Sequence, residues 1–188
     1  MAAMLLAGHL AGLAAAMPAA GEELAPPRLL APVGTSAPAA LPDAVRAPLR
    51  ALEGPPRAAV GGEGVEVVHF FATWCAPCKR ELPALARFAA RRPRVPVALV
   101  DVAEPEDRVR RFFASAPAPG VVLLDADRAV ARAFDVSLLP ATFVVVDGRA
   151  RLALDGEVAW DDRANDALID AIGRAHGAAG TPAPVAIR

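Results

Sequence analysis

Cysteine is nearly missing from this chain. Two occur among 188 residues, at positions 75 and 78, and histidine is almost as rare at three. A closed zinc site needs four ligands. His9 lies in the N-terminal apolar stretch, His69 in a run that reads as a buried strand, and His176 close to the C-terminal end, so a zinc site is disfavoured and no metal is expected. Charge of one sign is lacking too: the formal net charge is -1. Nothing therefore favours nucleic acid or an anionic membrane surface as a partner. No long charge run and no internal repeat stand out. The apolar share of 55% is enough for one domain with a core.

The first twenty residues lack any charged side chain. An apolar stretch from Met4 to Met17 leads into Pro18, small residues and then Glu22 and Glu23, the layout of a secretory signal with a small-residue cleavage zone. No Lys or Arg precedes it, and it is shorter than the ~20 apolar residues that a span needs. Three readings stand: a cleaved signal, an uncleaved membrane anchor, or a buried structural helix. The first two place the domain outside the cytoplasm. Residues 21–60 hold eight prolines in forty positions and read as a Pro-rich flexible spacer. Leu41, Val45, Leu49 and Leu52 are spaced for one face of a short helix, which Pro48 opposes.

From residue 61 to 176 the pattern is that of an α/β domain with a mixed sheet, followed by a loose tail over 177–188. The β-branched and aromatic run "VEVVHFF" (65–71) predicts a strand buried on both faces. A helical pattern to about residue 91 follows, then a second buried strand over 95–102. Strand, helix and strand in this order make a βαβ unit with a parallel pair. Next come a charged helix (about 106–114), a short strand (121–124) and a helix over about 128–134. Two strands (141–147 and 149–156) flank the hairpin signal Asp147-Gly148. A last helix, with Asp161 or Asp162 as its cap, carries Ala164, Leu168, Ile169 and Ile172 on one face.

Both cysteines fall in "FFATWCAPCKREL", where the first strand meets the helix. A structural disulfide closing so small a loop would constrain the unfolded chain little. Redox chemistry fits better. At the first turn of a helix, unpaired N–H groups and the positive end of the dipole favour a thiolate at Cys75, and the thiolate is the nucleophile in disulfide exchange. Cys78, one turn on, is placed to resolve the mixed disulfide, and two intervening residues let the pair close without unwinding the helix. Cys-x-x-Cys in a βαβ unit, with Trp in front, is a strong signal.

"FFATWCAPCKRELPAL" resembles the active-site segment of the thioredoxin superfamily, and within it the extracytoplasmic TlpA/ResA-like branch of thiol–disulfide oxidoreductases. "FDVSLLPATFVVVDGRARLALDGEV" resembles the segment in which a cis-proline, here Pro140 after Leu139, opens the next strand. Trp160 before a capped helix resembles the branch's ending, and the helix and strand between about 104 and 124 its insertion. The resemblance covers roughly residues 65–175. It implies a thioredoxin-like fold, a mixed central sheet flanked by helices with an extra helix–strand insertion. The branch usually has an N-terminal β-hairpin; residues 29–64 are too rich in Pro and Gly to show one, so that edge of the sheet is expected to be short or built differently.

The resemblance also implies roles. Trp74, Ala76, Pro77, Leu139 and Pro140 would form the surface that meets a substrate, with Leu139-Pro140 facing the thiols. For Trp74 the competing reading is core packing at a strand end, and for Pro140 an ordinary trans proline. His69, six residues before Cys75, occupies a position that would lie beneath the resolving cysteine. It is read either as an acceptor for the Cys78 proton, its pKa set by burial, or as a hydrogen-bonded core histidine. Glu81 shares a helical face with Cys78. It is read as a proton relay, as a charge that opposes thiolate formation, or as a surface carboxylate balancing Lys79 and Arg80. Pro83 matches the superfamily's helix-kink proline.

The expected activity is reduction of disulfides in partner proteins, of the cytochrome c maturation or copper-centre assembly type. No cofactor is expected beyond the Cys75–Cys78 dithiol. A membrane thiol transporter would be the electron donor, and the compartment periplasmic or otherwise extracytoplasmic. Two rivals remain, a disulfide-forming oxidant and a copper-binding assembly factor that uses the two thiols as ligands.

Overall fold

The computed structural model describes residues 27–32, 41–115 and 117–177. The signal or anchor expected of residues 1–20 lies outside the described residues, as does the loose tail beyond Gly177. Among the described residues no helix is long and apolar enough to cross a membrane.

Seven strands form one mixed sheet: β1 (Ala31–Pro32), β2 (Arg50–Ala51), β3 (Val65–Phe71), β4 (Val97–Val102), β5 (Val121–Asp125), β6 (Ala141–Val146) and β7 (Arg149–Asp155). They lie in the order β1-β7-β6-β3-β4-β5-β2. β3, β4 and β5 run parallel, and β6 pairs antiparallel with β3. Helices α1 (Ala76–Arg91), α2 (Glu106–Phe113), α3 (Ala129–Ala133) and α4 (Arg163–Gly177) connect and flank the strands. α2 and β5 occupy the stretch read as an extra helix and strand.

The central strand β3 is flanked by β4 and β6, so both its faces are covered. Alternate side chains point to opposite faces. Val67 and Phe71 join Leu82, Leu85 and Phe88 of α1, Val109 of α2 and Ile169 of α4 in one core. Val68 and Phe70 join Val130 and Ala131 of α3 in the other. The hairpin at Asp147-Gly148 forms as expected, both residues with positive φ (49° and 72°), the geometry of a two-residue turn that matches strand twist. Gly120 is obligatory for a different reason. A Cβ there would lie 2.1 Å from the Val97 carbonyl oxygen.

Residues 41–60 depart from the flexible spacer expected of 21–60. Leu41, Val45, Ala51, Leu52, Ala59 and Val60 are buried, and all but Leu52 pack into the core beneath α3. The physical reason is cover. α3 is only five residues long and leaves Val68, Phe70, Val100 and Leu123 on its face of the sheet in need of a second lid. Proline in this segment sets turns and extended backbone rather than abolishing order. The helical spacing of Leu41 to Leu52 yields only a 3-10 turn, Asp43–Arg46. The chain then adds β2 to one edge of the sheet, and β1 sits on the other, so two short edge strands stand where a hairpin would be.

Candidate active site

Register brings the site together. Phe70 of β3 lies opposite Ala141 of β6, so the turn after β3 and the Leu139-Pro140 pair before β6 emerge at the same end of the sheet. The Leu139–Pro140 peptide bond is cis. Cys75 is the N-cap of α1, and its Sγ accepts a hydrogen bond from the Cys78 N–H at 3.2 Å. Pro77 stands in the first turn, where no N–H is needed, and that turn holds no acidic residue. Cys75 and Cys78 form a disulfide. Cys75 keeps 4% of its surface and Cys78 none, so an incoming sulfur reaches Cys75 first. Trp74 is 63% exposed, which rules out core packing for it. Ala76 is exposed and Pro77 partly so.

His69 points to the α1 face of β3, the face of Val67 and Phe71. It is fully buried. Its Nδ1 hydrogen-bonds with the Thr142 hydroxyl at 3.0 Å, across the β3–β6 register that pairs the two residues. Its Nε2 has no partner among the described residues. Burial lowers its pKa to about 4, so the ring is neutral at ordinary pH.

Glu81 is not a surface carboxylate. It is 3% exposed. Its Oε1 accepts from the Val158 N–H at 3.1 Å and the Trp160 indole N–H at 2.5 Å, and its Oε2 has no partner among the described residues. Burial pushes its pKa up to about 8, against the two hydrogen bonds that favour the anion. The balancing role once open to it falls to Glu157, which pairs with Arg80 at 2.5 Å.

A second group of acids, absent from the sequence reading, supports the turn before the thiols. Glu104 takes both the N–H and the hydroxyl of Thr73, the latter at 2.7 Å. Its own N–H donates to Asp101 Oδ2 at 3.1 Å. Asp101, paired in register with Phe71, is buried and its pKa is raised, chiefly by burial. Asp125 is buried as well and caps α3 through the N–H groups of Val130 and Ala131. The available signal was an acidic residue ending each of two buried strands, "VALVD" and "VVLLD", with Glu104 three residues after the first. Thr142 had none, because its role depends on the pairing of β3 with β6.

A groove of about 490 Å³ opens beside Trp74, lined further by Val102, Ala103, Arg128, Val136, Ser137, Leu138 and Leu139.

A cysteine pair at the junction of a central strand and its helix, facing a proline-opened antiparallel strand, defines a thioredoxin-like protein with a redox-capable disulfide. The fold agrees: a secreted disulfide oxidoreductase of Mycobacterium tuberculosis, homologous to E. coli DsbE, superposes with a TM-score of 0.60 at 19% identity, over 69% of this chain and 98% of that one. The chain belongs to the AhpC/TSA family, whose pattern matches residues 57–151. It is 40% identical over 88 residues to the thiol-disulfide oxidoreductase ResA of Bacillus subtilis, a stretch covering 45% of this chain and 48% of ResA. It is 37% identical over 90 residues to the thiol:disulfide interchange protein DsbE homolog of Paracoccus denitrificans, covering 47% and 48%. The chain thus spans about half the length of the curated relatives it matches.

Proposed function

We propose that this protein is an extracytoplasmic thiol–disulfide oxidoreductase that reduces disulfides in partner proteins. The observation that carries the reading is the Cys75–Cys78 disulfide at the N-terminus of α1, with Cys75 as the cap and the less buried of the two. In the reduced protein, Cys75 thiolate attacks one sulfur of the partner disulfide. A Cys75–partner bond forms and the second partner sulfur leaves as thiolate. Cys78 then loses its proton and attacks Cys75, and the first partner sulfur leaves. The partner gains two electrons and two protons, and the protein ends as its disulfide.

Two buried groups are candidates for the Cys78 proton. Glu81 lies three residues on and on the same helical face, but burial raises its pKa to about 8, so at neutral pH it accepts a proton only through its ionised fraction. His69 is neutral there, with Nδ1 on Thr142 and Nε2 without a partner among the described residues.

The apolar stretch over 1–20 supports export or anchoring, and a membrane thiol transporter is the donor that the resemblance supports. The partner would come from cytochrome c maturation or copper-centre assembly. The test is catalysis of insulin reduction with dithiothreitol as donor, together with the potential of the Cys75–Cys78 couple against glutathione. A value near thioredoxin's (~-270 mV) is expected, and one near DsbA's (~-120 mV) would make the protein an oxidant. Absence of exchange, with tight anaerobic Cu(I) binding, would favour the copper-binding role instead.

A further inference from the structure

Three large apolar side chains are exposed among the described residues: Leu29, Trp74 and Leu138. Two of them, Trp74 and Leu138, line the groove described above. Its walls are otherwise aliphatic or small, and it has one charged lining residue, Arg128. Arg128 is exposed and forms no ion pair among the described residues. The acids nearest in sequence are already engaged. Asp125 gives both carboxylate oxygens to the start of α3, and Asp127 turns its own to the Ala129 N–H at 3.0 Å. Arg128 is held in place by its backbone. Its φ is +61°, a region few side-chain-bearing residues adopt, and its N–H donates to the Asp125 carbonyl at 3.0 Å.

An apolar trough with a single uncompensated cation at its wall suits one kind of occupant: a polypeptide segment with an apolar side chain and a carboxylate close together. Neutral segments would leave the guanidinium unmatched, and basic ones would be repelled. We infer that Arg128 selects partners in which the disulfide to be reduced lies next to an apolar residue and an acidic one. The inference rests on the oxidoreductase reading and refines it, from any accessible disulfide to an acidic class.

The test uses the reduced full chain and three synthetic peptides that differ at one position. Each carries an intramolecular disulfide flanked by Asp-Leu, Asn-Leu or Lys-Leu. Hydroxyethyl disulfide, small and neutral, is the reference, and every peptide rate is divided by the reference rate of the same protein. At low salt the Asp peptide should react about five-fold faster than the Lys peptide, the scale of an exposed ion pair, and 0.5 M salt, where screening lengths shrink to roughly 4 Å, should close most of the gap. Arg128→Asn, which suits a left-handed backbone, should erase the preference, and Arg128→Glu should invert it. Equal relative rates for the three peptides with the unsubstituted protein would overturn the role of Arg128 while leaving the chemistry intact. A preference that survives in both variants would overturn it too. Failure to react even with hydroxyethyl disulfide would sink the oxidoreductase reading itself.

Discussion

Glu81 and Trp160 meet inside the core: the indole N–H of Trp160 donates to Glu81 Oε1 at 2.5 Å, while the other carboxylate oxygen of Glu81 has no partner among the described residues. Such a carboxyl favours its neutral form when buried. Its pKa rises from 4.5 to about 8 in the folded protein, so the folded state holds a proton that the unfolded state releases above pH 4.5. The stability tied to Glu81 is full below that pH and is lost as pH climbs toward 8. Urea melts of the oxidised protein between pH 5 and 9 should show this decline. Glu81→Gln, which keeps both hydrogen bonds to its side-chain oxygen, should flatten it, raising stability at pH 8 relative to pH 5 by up to several kcal/mol at ~1.4 kcal/mol per unit. An unchanged slope would mean that Glu81 is ionised in the core.

His69 works in the opposite direction. Its pKa falls from 6.5 to about 4, so its contribution is present above pH 6.5 and is lost as pH drops toward 4. His69→Asn should remove that acid limb and leave the alkaline limb in place. Thr142→Val takes away the only hydrogen-bond partner that the ring has among the described residues and should cost about 1–3 kcal/mol. If His69→Asn slows resolution of a preformed mixed disulfide without slowing the first attack, His69 is the group that takes the Cys78 proton.

For the thiols, the proposed order of attack rests on the N-cap position and residual exposure of Cys75. Iodoacetamide should label Cys75 of the reduced protein first, with an apparent pKa below the ~8.5 of a free thiol. Cys78→Ser should accumulate reductant-sensitive partner adducts in the extracytoplasmic fraction, and Cys75→Ser far fewer. Equal trapping by both would contradict the order of attack.

Glu104 holds Thr73 at two points, one residue before Trp74. Glu104→Ala strips a partner from a part-buried backbone N–H and should cost about 1–3 kcal/mol. Glu104→Gln, which retains one acceptor oxygen, should cost less. In a double-mutant cycle with Thr73→Val the two sites should couple by about 0.5–3 kcal/mol. Additive losses would place the effect on the Thr73 N–H or on Arg108, whose guanidinium lies 3.6 Å from Glu104 Oε1, and not on the Thr73 hydroxyl.

Val45 lies in the stretch that composition marks as spacer, yet it is fully buried. Val45→Ala should lower stability by about 1–2 kcal/mol in denaturant melts, the scale of deleting buried methyl groups. No loss would mean that residues 41–60 do not belong to the folded unit in solution.

Local chemistry carried a great deal of this. The apolar runs set β3 to β6 to within two residues, since strands buried on both faces are nearly continuously apolar, and β7 followed from the turn before it. Asp147-Gly148 specified a turn because its backbone must reach positive φ, and Asp162 caps the last helix through the Ala164 N–H. The cysteine pair located the site because its chemistry needs only a helix N-terminus, which the adjacent strand and helix signals supply. Tertiary structure decided the rest. Whether Glu81 faced water or the core depended on where Val158 and Trp160 come to rest, nearly eighty residues away. His69 became a neutral partner of Thr142 only because β6 pairs with β3 in one register. The Pro-rich segment folded because a five-residue α3 leaves a sheet face uncovered, a demand set by the sheet and invisible in the segment itself. Glu104 reaches Thr73 from the turn between β4 and α2, and the groove that holds Arg128 is assembled from four separate stretches of chain. Spacing along the chain records which groups can meet within a few turns of backbone, while burial and long-range pairing set which of them ionise and what they touch.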